Sequence, residues 1–92
     1  MTEITIRIPA NFSVEEAGRF REEIRNHIDN GSFQFLLDFS DCRFIDSTGL
    51  GVVVSSYKKC VDCGGNMRLK SLMPNVLKVF ELTRLNHVFQ IE

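Results

Sequence analysis

Residues 33–51 read FQFLLDFSDCRFIDSTGLG, and this stretch decides the class of fold. Residues 33–39 are nearly continuous in apolar side chains, which is typical of a central strand covered on both faces. A short apolar segment follows at residues 44–45, and a helix is predicted over residues 47–63, where the glycines at 64–65 end it. A buried strand that leads into a helix is the repeating unit of an α/β fold.

Upstream of this stretch the chain predicts one more strand and one more helix. Residues 2–8 alternate between isoleucines and polar residues, which indicates a half-buried strand that Pro9 ends. Ser13 and Glu16 have the spacing of a capping box, so a helix is predicted to begin there and to end at residues 30–31. The apolar residues on one stripe of this helix are Val14, Ala17, Phe20, Ile24 and Ile28.

Downstream, residues 66–72 alternate as a strand, Pro74 opens a third helix, and residues 88–91 form a last short strand. The core stripes predicted for the second and third helices are Leu50, Val53, Val54, Tyr57 and Val61, and Val76, Leu77, Phe80 and Thr83. The order strand–helix–strand–helix–strand–helix–strand predicts one α/β domain over residues 1–92, with a mixed, mostly parallel sheet of about four strands and three helices.

Composition excludes several classes of protein. The formal net charge of −1 means that the chain lacks the excess of positive charge that would attract nucleic acid or an anionic membrane. The first residues lack the pattern of a signal peptide, and no apolar run approaches the length of a membrane span. The three cysteines are an odd number, which in such a chain indicates reduced thiols. We therefore expect a cytoplasmic protein that neither binds nucleic acid directly nor inserts into a membrane.

Ser47 draws attention because it stands at the predicted start of the second helix. Serine is a good N-cap residue, and a Ser-Thr-Gly sequence at a helix start is most often only a cap. Helix N-termini also accommodate phosphate through unpaired backbone N–H groups and a partial positive charge. Gly49 and Gly51 are expected to leave the first turn uncluttered, so that the backbone of a partner could approach closely.

The run Asp46-Ser47-Thr48-Gly49-Leu50-Gly51 resembles the hallmark of STAS domains, the domain of sulfate transporters and anti-sigma factor antagonists. The preceding LDFS at residues 37–40 and the following Tyr57-Lys58 match as well, and residues 74–85 resemble the third helix of that family and the turn after it. The resemblance is closest to the bacterial anti-sigma factor antagonists and spans nearly the whole chain.

This resemblance implies partner switching without a cofactor. In the family, the serine at the position of Ser47 is phosphorylated by an anti-sigma factor that is also a serine kinase. The unmodified form binds that kinase and thereby frees a sigma factor, the phosphorylated form releases it, and a PP2C-type phosphatase resets the switch. The partner-binding surface that the resemblance implies consists of Asp46, Thr48, Gly49, Leu50 and Gly51, with Ser13 on a neighbouring segment.

The chain departs from the family pattern in two places. Family members often carry Gly-x-Leu-Asp where this chain has the residues ANFS at 10–13, so Ser13 replaces an aspartate at the partner surface. The chain also begins near the second strand of the family and stops at Glu92, without the long C-terminal helix. The hypothesis that follows is that an apolar strip is left uncovered and that a second copy covers it in a homodimer.

Other functions fit the residues less well. A STAS subunit that serves as an adaptor in a transport ATPase or a signalling scaffold, with Ser47 unmodified, stays open as an alternative, and nucleotide binding is a weaker one. No histidine or lysine lies near Ser47 in sequence to activate it, so an enzyme is not expected. Cys60 and Cys63 lie at a helix end and have no second Cys/His pair at zinc spacing, and His27 and His87 are isolated, so no metal site is expected.

Overall fold

The computed structural model describes residues 3–92, and within them each predicted strand and helix is present. Thr2, which the sequence places in the first strand, lies outside the described residues. The elements in chain order are β1 (Ile4–Arg7), β2 (Asn11–Phe12), α1 (Val14–Asp29), β3 (Gln34–Asp38), β4 (Phe44–Ile45), α2 (Ser47–Asp62), β5 (Asn66–Lys70), α3 (Pro74–Leu82) and β6 (Gln90–Ile91), with a 3₁₀ turn at Leu85–His87 before β6.

The strands form two separate sheets. The main sheet has the order β1-β3-β5-β6, and the second sheet consists of the short strands β2 and β4. Within residues 3–92 every strand pairing is parallel, so the sheet is not mixed as the sequence suggested. The α/β class and the four-stranded main sheet are confirmed. The pairing of β2 with β4 was not predicted, because strands of two residues carry no periodicity to detect.

One face of the main sheet carries the core. Phe35 and Leu37 of β3 and Met67 and Leu69 of β5 are completely buried. The ring of His27 from α1 meets the ring of Phe35 edge-on at 5.9 Å, so α1 packs on this face. The helices thus bury one face of the sheet, and this burial is the main source of stability.

No helix among residues 3–92 covers the other face of the main sheet, so the prediction that β3 is buried on both faces is wrong. Leu36 on this face is only half-buried. The guanidinium of Arg68 lies in the next strand, opposite Leu36, and donates two hydrogen bonds to the Glu3 carboxylate, at 2.7 and 2.9 Å. Arg68 also pairs with Glu92. Long charged side chains can shield an apolar residue with their stems, which explains how the sequence tolerates Leu36 here.

The predicted stripe residues are buried in four of five positions for α1, in two of four for α3, and in only one of five, Val53, for α2. In α1, Val14 is 69% exposed while the other four predicted residues are buried. In α3, Val76 and Phe80 are buried, but Thr83 is exposed and donates its hydroxyl to the Val79 carbonyl at the helix end. The buried face of α2 consists of Gly49, Val52, Val53, Ser56 and Cys60.

The shift in α2 has a physical cause. Residues 50–54 are apolar or glycine at every position, so periodicity alone does not say which face turns inward. The structure selects the face that carries Gly49 and Ser56, because small side chains let the helix approach its neighbours closely. Val61, predicted to be in the core, is 46% exposed instead.

No helix within residues 3–92 combines the length and the apolar character that crossing a membrane would require.

Candidate functional site

The short β2–β4 sheet brings the starts of two helices together. Phe12 and Ile45 are register partners, and the backbone N–H of Asp46 donates to the Phe12 carbonyl at 3.4 Å. Ser13 follows Phe12 and stands directly before α1, while Asp46 follows Ile45 and stands directly before α2. Two helix N-termini therefore lie side by side, and each has the partial positive charge of unpaired N–H groups.

At the start of α2 the capping residue is Asp46. Its Oδ1 accepts a hydrogen bond from the backbone N–H of Gly49 at 2.9 Å, and its carbonyl accepts the N–H of Leu50. The interpretation of Ser47 as the N-cap is therefore wrong: Asp46 has the extended backbone that a cap requires, and Ser47 is the first residue of the helix. As a result, the hydroxyl of Ser47 is not needed to hold the helix, and the residue is exposed.

At the start of α1, Ser13 makes a different set of contacts. It occupies the N-cap position, but its side chain makes no hydrogen bond to the helix backbone. Its hydroxyl instead donates to the Glu16 carboxylate at 3.2 Å and accepts from the Asn11 amide at 3.1 Å. The predicted helix start is correct, but the reciprocal backbone bonds of a capping box are not formed. Ser13 is half-buried, and its hydroxyl is engaged by the side chains of Asn11 and Glu16.

The two glycines of the motif have opposite environments. A Cβ atom on Gly49 would lie 2.3 Å from the Phe12 carbonyl oxygen, whereas a Cβ on Gly51 would meet nothing within 4 Å. Gly49 is buried and lets α2 approach β2, so the expectation that both glycines leave open space holds only for Gly51. The partner contact assigned to Gly49 stays a prediction, with little of its surface available for it.

Ser47 borders a shallow groove of about 440 Å³ along α2. The groove is lined by Ser47, Leu50, Gly51, Val54, Ser55, Lys58 and Leu85. Leu85 comes from the 3₁₀ turn and was not among the predicted site residues, because no local signal connects it to α2. Thr48 is exposed beside Ser47 but does not line this groove.

Two of the three cysteines, Cys42 and Cys60, are buried, which lowers their reactivity. Burial raises the pKa of the Cys42 thiol and raises that of Cys60 to about 11, so both stay protonated at neutral pH. Cys63 is exposed at the end of α2, and all three are free thiols. Within residues 3–92 no three metal-binding side chains of the His, Cys, Asp or Glu type lie close enough to hold an ion.

Comparison with known proteins identifies the family. The STAS domain family matches residues 2–92. The chain belongs to this family. The chain is 28% identical over 89 residues to the anti-sigma-B factor antagonist of Bacillus subtilis strain 168. This alignment covers 97% of this chain and 81% of the Bacillus protein.

Solved structures agree with the STAS fold. The crystal structure of the Thermotoga maritima protein TM1081 superposes with a TM-score of 0.85 at 29% identity and covers 95% of this chain and 77% of that one. The phosphorylated form of the Bacillus cell fate determinant SpoIIAA superposes with a TM-score of 0.78 at 22% identity and covers 98% of this chain and 82% of that one. At 22% identity the SpoIIAA likeness shows the fold alone, and the sequence-based prediction of a STAS domain is confirmed.

Proposed function

We propose that this STAS domain is an anti-sigma factor antagonist that is switched by phosphorylation of Ser47. In the unmodified state it binds an anti-sigma factor that is a serine kinase, and a sigma factor is thereby freed for transcription. Phosphorylation of Ser47 releases the kinase, and a PP2C-type phosphatase restores the binding state. Such a cycle takes place in the cytoplasm and requires no cofactor or catalytic residue from this chain.

One observation carries the proposal: Ser47 is exposed at the first position of α2 while its neighbour Asp46 supplies the cap. A kinase can therefore reach the hydroxyl without unfolding the helix. The Bacillus relative with the name anti-sigma-B factor antagonist supports the same role.

Electrostatics explains how a phosphate at this position would change binding. A phosphoserine adds a charge of about −1.5 to −2 and three acceptor oxygens. In the free domain, the N-terminus of α2 accommodates this negative charge through its backbone N–H groups. A partner packed into the groove of Leu50, Val54 and Leu85 would instead have to bury the phosphate beside the Asp46 carboxylate. Lys58 lines the same groove but stands about three helical turns from Ser47, too far along α2 to compensate the phosphate. Burial of uncompensated charges is unfavourable, so the partner dissociates.

The partner surface that we propose is centred on Ser47 and extends to both helix starts. Leu50 and Gly51 line the groove, Asp46 and Thr48 flank the serine, and Ser13 stands at the adjacent N-terminus. Gly49 supports this surface from inside through its contact with Phe12. The homodimer, in which a second copy covers an apolar strip of the domain, stays a prediction.

The test is intact-mass and phosphopeptide analysis of the protein isolated from its native cells, with and without phosphatase treatment. We expect one phosphatase-sensitive phosphate that maps to Ser47. The matched control is the Ser47→Ala chain produced in the same cells, which should carry no phosphate. A phosphate that maps to Thr48 would move the switch by one residue and contradict the assignment.

A chain that stays unmodified under all growth and stress conditions would overturn the switch. The adaptor role would then be the better interpretation, and stable copurification with a transport ATPase would support it. Calorimetry with GTP and ATP tests the third alternative, nucleotide binding. Neither the phosphorylation switch nor the adaptor role predicts heat of binding with these nucleotides.

A further inference from the structure

A second groove lies between α1 and α2 and differs from the Ser47 groove in its charge. It has a volume of about 310 Å³. Its lining residues are Arg21, Ile24, Arg25, Ile28, Ser55, Ser56 and Lys59. Only Ser55 lines both grooves. The proposed partner switch makes no use of this second groove, which we call the cationic groove.

The floor of the cationic groove is apolar. Ile24 is 2% exposed and Ile28 is 8% exposed, so both form part of the core and present only a small surface to the groove. Ser56, which lines the same groove, is the one buried polar residue among residues 3–92. A ligand that rests on this floor would meet methyl groups and one serine side chain.

The rim of the cationic groove is positively charged. Arg21, Arg25 and Lys59 line it, and no acidic side chain of residues 3–92 does. Across the described chain, residues 3–92, Arg21 and Lys59 form no ion pair. Arg25 lies 3.8 Å from the Glu22 carboxylate, but both side chains are mostly exposed, so that pair is weak and can be exchanged.

We propose that the cationic groove is a binding site for a small amphipathic anion, with a phosphate or carboxylate group at the rim and a short apolar body on the floor. Guanidinium and ammonium groups bind such anions by charge-assisted hydrogen bonds. The volume is at the lower end of the range for ligand sites, which limits the ligand to a small molecule.

The lining of the groove distinguishes this ligand from a nucleotide. In the described part of the chain no aromatic side chain lines the groove, so a base would have nothing to stack on. The lining there also contains no glycine-rich loop that could supply backbone N–H groups to a polyphosphate. The site is independent of Ser47 phosphorylation. Because Ser55 borders both grooves, an occupied cationic groove would lie next to the proposed partner surface.

The experiment is a titration of the isotope-labelled full chain followed by amide NMR spectra, with octyl phosphate as the probe below its micelle concentration. We expect shifts that concentrate on the residues around Ile24 and Ser56. Inorganic phosphate, which lacks the apolar body, and octanol, which lacks the charge, should each bind about tenfold more weakly or not at all.

Two double variants test the rim. Arg21→Gln with Lys59→Gln should weaken octyl phosphate binding about tenfold, because two charged contacts are lost. Arg43→Gln with Lys78→Gln removes the same charge from exposed positions outside the groove and should leave the affinity unchanged. The spectra also show whether each variant is folded.

Three results would each overturn the proposal. They are shifts that lie elsewhere on the domain, an affinity for octanol equal to that for octyl phosphate, and equal losses in the two double variants. A failure of Ser47 phosphorylation would leave this site untouched, so the two proposals can fail separately.

Discussion

The two helix starts that lie side by side, that of α1 at Ser13 and that of α2 at Asp46, differ in whether a side chain caps the helix backbone. At α2 a carboxylate accepts a backbone N–H, and the serine that follows it is exposed. At α1 the serine itself occupies the cap position, and its hydroxyl is held by two neighbouring side chains. The comparison teaches that a serine near a helix start is available for modification where neither the helix backbone nor a neighbouring side chain engages its hydroxyl.

The largest effect is expected from the glycine that supports the α2 start. Gly49→Ala should lower the free energy of unfolding by about 2–3 kcal/mol, because the added methyl group would overlap the Phe12 carbonyl. Gly51→Ala in the same helix turn is the matched control. It should raise stability by about 0.5–1 kcal/mol, since alanine favours the helix and the position is open. Urea unfolding measures both, and equal effects would refute the different environments of the two glycines.

The caps themselves give the next largest difference. Asp46→Ala should cost about 1 kcal/mol, because the Gly49 N–H loses its acceptor. Ser13→Ala should cost less than about 0.5 kcal/mol, since its hydroxyl bonds only to neighbouring side chains that water can replace. Asp46→Asn keeps an acceptor and should restore most of the loss. If Ser13→Ala proved as costly as Asp46→Ala in urea unfolding, the two starts would be equivalent after all.

The ion pair between Arg68 and Glu3 lies on the uncovered face of the sheet, away from both helix starts. Its effect on stability can therefore be compared with the effects of the two caps. The Arg68 guanidinium hydrogen bonds to Glu3 and lowers the pKa of that carboxyl below its ordinary value of 4.5. A lowered pKa in the folded state means that the pair stabilises the fold above about pH 4.5, and that this contribution is lost as the pH falls through the lower folded pKa.

Glu3→Gln should therefore reduce stability at neutral pH by less than about 1 kcal/mol, because the pair is partly exposed to solvent. The difference from the unsubstituted chain should shrink as the pH falls below about 4.5, as measured by urea unfolding across that range. Glu81→Gln, which changes an exposed carboxylate on α3 that forms no ion pair among residues 3–92, is the matched control. A gap that persists at low pH would mean that Glu3 acts through packing instead of charge.

The smallest effect on stability is expected at the residue with the largest proposed role. Ser47→Ala should change the free energy of unfolding by less than about 0.5 kcal/mol, since Asp46 keeps the cap and Ser47 is exposed. Ser47→Asp should also be tolerated, because a negative charge suits a helix N-terminus. A loss above about 1 kcal/mol in Ser47→Ala would show that the serine has a structural role and would weaken the case for a switch.

Part of the site could be predicted because local chemistry sets it. The order of strands and helices follows from periodicity and from turn residues that act over a few positions, such as Pro74 and the glycines at 64–65. The placement of Ser47 at a helix start was within one residue of the structure. The error at the cap arose because aspartate and serine are equally good N-caps and stand next to each other, so the sequence does not choose between them.

Other features depend on contacts between distant segments. The buried face of α2 could not be read from a run of residues that is apolar at nearly every position. The cationic groove combines residues 21–28 of α1 with residues 55–59 of α2, and only the packing of the two helices brings these charges together.

By itself the sequence determined the α/β class, the order of the elements, the STAS motif and the position of Ser47 near the start of a helix, because each depends on neighbouring residues. Only the tertiary structure decided that Ser13 lies beside Asp46, that Gly49 is enclosed while Gly51 is open, and that Leu85 joins the groove of Ser47. The physical reason is that these features depend on the pairing of β2 with β4 and on helix packing, which join residues more than 30 positions apart.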